Sequence, residues 1–170
     1  MRLSMENQKF NNLVSNLEEL VKLYRTLHDV IRHERTYLIQ ADLDNLIENN
    51  KTKETLIAAI RELDQKRETA AVELAAEVNA SEPRLLSIAE KIKGPESEAL
   101  KTTHKILSLL ISNVMNDNIE NETYALSALK TVNGAMADLK ETLVGKSVYG
   151  RSGTVGNGPD KSGNLVSKEA

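Results

Sequence analysis

From Met1 to Glu82 the chain contains neither glycine nor proline, and apolar residues recur through much of that stretch on alternating steps of three and four. Glycine and proline are the residues that most readily end a helix, and the three–four spacing is that of a single helical face. Together these features commit the first half of the chain to long helices. Leu3, Phe10, Leu13, Leu17, Leu20, Tyr24, Leu27, Ile31 and Leu38 form the first stripe. Glu6 and Glu34 interrupt it, and Val14, Val21 and His28 broaden one side. Ala41-Asp42-Leu43-Asp44 is the one local stop before Glu82, with Asp42 or Asp44 placed to cap a second helix. That helix carries Leu43, Leu46, Ile47, Ile57, Ile60, Leu63, Ala70, Leu74 and Val78 on its apolar face, which thins between Glu48 and Thr55.

Asn79-Ala80-Ser81-Glu82-Pro83 predicts a break, with Pro83 in the first turn of a short helix running to Lys93. Gly94-Pro95 repeats the signal, glycine past a helix end and proline opening the next. A third long helix is expected from about Glu96 to Val144. Its stripe is Leu100, His104, Leu107, Ile111, Val114, Asn118, Asn121, Ala125, Leu129, Val132, Met136, Leu139 and Leu143. Helices of roughly 35 to 50 residues reach about 50 to 75 Å and, with stripes this narrow, pair along their length. The expected fold is all-α: an elongated antiparallel helical hairpin or a three-helix, coiled-coil-like bundle. Six of the eight glycines lie at or beyond Gly145, in a segment rich in serine as well. The expected organisation is a helical domain over residues 1–145 and a flexible, disordered tail over 146–170.

Composition agrees with helix seams rather than a thick core. Aromatic residues make up only 3% of the chain, with no Trp and a single Phe, so Leu, Ile, Val and Ala must supply the packing. With no cysteine, disulfides, thiolate metal sites and cysteine nucleophiles are excluded. The absence also fits a cytoplasmic protein. The opening residues Met1-Arg2-Leu3-Ser4-Met5 hold no apolar run, so no signal peptide is expected, and no stretch is long enough to insert in a membrane. A net charge of −3 argues against nucleic acid as a partner.

Catalytic and cofactor chemistry has little to stand on. His28 and His33 are five residues apart, on different helix faces, and His104 lies on another helix; no metal site is expected, and boundary or solvated histidines are. Carboxylates on such helices pair with lysine or arginine one turn on, as at Glu62 and Lys66. No phosphate loop, dinucleotide fold or nucleophile elbow appears, because Gly150-Arg151-Ser152-Gly153 and Gly156-Asn157-Gly158 neither follow a strand nor open a helix. No catalytic residue and no cofactor is assigned.

Three segments resemble the FlgN family of flagellar secretion chaperones. His33 to Leu56, centred on Ala41-Asp42-Leu43-Asp44, is similar to that family's turn between its first two helices. Asn113, Asn116, Asn118 and Asn121 precede an apolar helix, as in its asparagine-rich third helix. Val148-Tyr149-Gly150-Arg151-Ser152-Gly153 is similar to its Tyr-Gly-x-x-Gly signature. The resemblance implies a cytoplasmic, non-enzymatic chaperone that holds the C-terminal segments of the hook–filament junction proteins FlgK and FlgL, prevents premature assembly and delivers them to the type III export gate. It implies client binding along Ala125, Leu129, Val132, Met136, Leu139 and Leu143, and docking to the export-gate platform through Tyr149, Gly150 and Gly153. Two other readings stay open: a non-catalytic coiled-coil scaffold subunit, homo-oligomeric and without cargo, and a regulator binding a signalling partner. Taken from the residues alone, the Ala125–Leu143 stripe is either core or groove, and Asn118 and Asn121 either divide the stripe functionally or fix helix register.

Overall fold

The computed structural model describes residues 2–144, with side chains from Gln8 onward. The expected tail, 146–170, lies outside the described residues, and so do Tyr149, Gly150 and Gly153. Four helices and no strand occur among the described residues: α1 (Arg2–Gln40), α2 (Leu43–Glu77), α3 (Leu85–Lys91) and α4 (Pro95–Val144). The fold is an all-α helical bundle. Packing divides the chain into two units, Met1–Ala125 and Leu126–Ala170.

In the first unit, α1 and α2 form an antiparallel hairpin. Lys9 bonds Glu77 at one end, Glu34 bonds Lys53 nearer the other, and the Asn49 side chain donates to the Val30 carbonyl. The hairpin turns where the stop was expected. Ala41 takes a left-handed φ of 54°, and the Asp42 amide donates back to the Tyr37 carbonyl at 3.0 Å, closing α1. The Asp42 carboxylate then accepts the Asn45 amide at 3.2 Å and caps α2, a role Asp44 does not take.

The part of α4 that belongs to this unit runs parallel to α1: His28 meets Asp117, and Arg35 meets Glu120 and Asn121. Chain direction is reversed through α3. Gly94 adopts φ 88°, Pro95 is the first residue of α4, and buried Ser97 donates to the Ala89 carbonyl at 2.6 Å. The core joins the expected stripes to Ile88 of α3, which no stripe included; Leu13, Leu17, Leu20, Ile31, Leu74, Ile88 and Leu100 are all but sealed from solvent. Burying these side chains stabilises the unit by about 2 kcal/mol each.

Two expectations are corrected. Leu43 and Ile47 share the face read as apolar but are 67% and 57% exposed, because spacing assigns a residue to a face without supplying a neighbour to cover it. The short helix begins at Leu85 rather than at Pro83, since Arg84 is still extended (φ −102°, ψ 143°), and it ends at Lys91.

Candidate binding surface

Along α4 the predicted stripe has two fates. Leu100, Leu107, Val114 and Asn121 are buried, and His104, Ile111, Asn118 and Ala125 are half-buried. In the second unit, Leu129, Val132, Met136, Leu139 and Leu143 are 55–65% exposed. They remain on the three–four spacing of one face, so a continuous apolar strip lies open to water. Leu126 and Val144 add to it, at 60% and 69% exposure. Within Leu126–Val144 the charged residues are Lys130, Asp138, Lys140 and Glu141, which cancel. Of the six residues predicted to bind a client, five thus lie together on this strip. Ala125 is set apart, half-buried in the first unit in a cleft with Leu38 and Leu46.

The covered part of the stripe ends in a polar layer. Asn121, 3% exposed, donates to the Ile31 carbonyl at 2.8 Å and to Glu34 at 2.9 Å, and accepts from Arg35 at 3.0 Å. Glu34 is 8% exposed, and both of its carboxylate oxygens accept from Lys53, at 3.0 and 2.9 Å. Lys53 also donates to Asn118. No buried side-chain polar atom among the described residues lacks a partner. A fully satisfied layer of this kind is tolerated only in one alignment of the three helices, so it fixes register. The glutamate that interrupts the α1 stripe is therefore the direct partner of Asn121 and is linked to Asn118 through Lys53. Lys53 and Arg35, which complete the layer, carry no comparable mark in the sequence.

Other features offer less. His28 bonds Asp117 at 2.8 Å, His33 stacks on Tyr37 and His104 is half-buried; among the described residues no group of side chains is arranged to hold a metal ion. An open cleft of about 900 Å³ is lined by Tyr24, Val72, Leu86, Leu107 and Ile111. Burial, and then the charge of Asp64, hold the Tyr24 hydroxyl above its ordinary pKa, so it stays neutral. No helix of the described residues is long and apolar enough to cross a membrane.

A helical bundle followed by an exposed apolar strip, in a segment without net charge, has the chemistry of a surface on which an apolar partner can dock. The comparison with known families gives that class of surface its particular form. The FlgN protein family matches residues 1–156, and the chain belongs to that family, one of flagellar export chaperones. No curated protein and no solved structure matches the chain.

Proposed function

We propose that this chain holds the C-terminal segments of hook–filament junction proteins of the FlgK and FlgL type in the cytoplasm, keeps them from premature assembly and delivers them to the type III export gate. The observation that carries the reading is the strip Leu129, Val132, Met136, Leu139 and Leu143, exposed where the same spacing upstream is buried. A solvent-exposed apolar face on a helix is the half of a helix-in-groove or helix-on-helix contact that an amphipathic client completes. Family membership supports the flagellar setting. Tyr149, Gly150 and Gly153 are the residues proposed to dock on the gate: a tyrosine offers a rigid anchor with one polar tip, and glycines let the backbone follow a partner.

The test replaces Leu129 and Met136 together by Asp in the full chain. Binding to a FlgK-like C-terminal segment is expected to be lost while helicity and melting are retained. Retained binding, or loss of the fold, sinks the client site. Tyr149→Ala is expected to leave melting and client affinity unchanged and to weaken capture by the gate's cytoplasmic domain; unchanged capture ends the docking role.

A further inference from the structure

The exposed strip has a symmetry of its own. Pairing two copies antiparallel about residue 134 sets Leu129 against Leu139 of the second copy and Val132 against Met136, each layer occurring twice, and Leu143 extends the seam at either end. On one shoulder stand Ala128, Ala135 and Thr142, so small residues meet small residues and the helices approach closely. On the other, Asn133 meets its own copy, where two amides exchange hydrogen bonds, and Lys140 meets Leu126. No like charges face each other. A parallel pair would instead set the small shoulder against Asn133 and Lys140 and lose the close approach.

We propose that in the absence of client this face of α4 is covered by a second copy of the chain, antiparallel, in that register. The overlap spans about 18 residues of one helix, or about 27 Å. One face of so short a segment brings fewer residues to the seam than the roughly 20–30 a side of a standard interface. The pair is therefore weak and exchangeable. It keeps the strip out of water while leaving it available, and it rests on the client-binding reading in one respect: a client taking the same face displaces the second copy.

The chain's lack of cysteine makes the register directly testable in the full-length protein. Chains carrying Val132→Cys are mixed with chains carrying Met136→Cys and oxidised under native conditions. A mixed disulfide forming severalfold in excess of either homodisulfide is the expected result, with sedimentation shifting from 18.8 kDa towards twice that mass between low and high micromolar concentration. Leu129→Asp/Met136→Asp should abolish the shift. Homodisulfides in equal or greater yield, or a monomer at every concentration, overturn the inference. Adding a FlgK-like C-terminal segment should suppress the mixed disulfide. If the disulfide forms and the segment neither suppresses it nor binds, the pairing stands and the client reading fails; if the segment binds a chain that never pairs, the reverse holds.

Discussion

The two parts of α4 are chemically alike and physically opposite. Before Ala125 the stripe is buried or half-buried, and its two asparagines are locked by Glu34, Arg35 and Lys53. Beyond Ala125, residues of the same kind at the same spacing stand open to water. Hydrophobic periodicity thus reports that a helix has a face for a partner. It does not say whether that partner belongs to the same chain.

The largest test of this contrast puts the same change on both sides of it. Leu100→Asp buries an unpaired charge at a position 1% exposed and is expected to cost about 4 kcal/mol or more, lowering the melting temperature by at least about 10 °C. Leu139→Asp, at a position 60% exposed, is expected to change stability by no more than about 0.5 kcal/mol. Equal losses would mean that both parts are core. Next in size, Lys53→Met strands the Glu34 carboxylate. Breaking a buried pair costs about 3–5 kcal/mol, and because these side chains keep 17% and 11% exposure, about 2–3 kcal/mol is expected by denaturant titration. Lys53→Met combined with Glu34→Leu should recover part of that loss; if it does not, the layer acts through something other than paired charge.

A smaller effect distinguishes the second unit. Gly134 sits within α4 with open space around it, so Gly134→Ala should stabilise the local helix by about 0.5–1 kcal/mol. Slower amide exchange confined to 126–144, with the main melt unmoved, is the expected result, and a shift of the main transition would show that the two units unfold together. The smallest concerns the α2 surface. The Lys66 ammonium, hydrogen-bonded to Glu62, holds that carboxyl below its ordinary pKa. Its contribution is present above the unfolded value and lost as pH falls through the folded one, so Glu62→Gln should flatten the acid side of the stability profile slightly; an unaltered acid limb would show that the pair adds nothing.

Much of the fold was legible because its signals are local. Asp42 as a cap and Gly94-Pro95 as a junction follow from backbone preferences that neighbours do not alter. Glu34 and Asn121 were legible as interruptions but not as partners, since they stand 87 positions apart and no local rule joins residues so distant in the chain. The boundary between the two units does leave a local trace. The α4 stripe takes two successive steps of four, Asn121 to Ala125 to Leu129, where every other step alternates. Such a stutter locally unwinds a coiled seam, and it falls where packing divides the chain. Leu43 and Ile47 mark the opposite limit: their spacing is right and their exposure depends on geometry far from them.

That the open surface belongs to a helix has a consequence for selectivity. Every amide and carbonyl inside α4 is already spent within the helix, so the strip offers a newcomer only side-chain shape and oiliness. An open sheet edge with the same apolar residues would also offer free backbone donors and acceptors, which accept any extended chain regardless of sequence. With its apolar residues on a helix, the open surface can sort partners only by side-chain contour and leaves an extended backbone nothing to pair with.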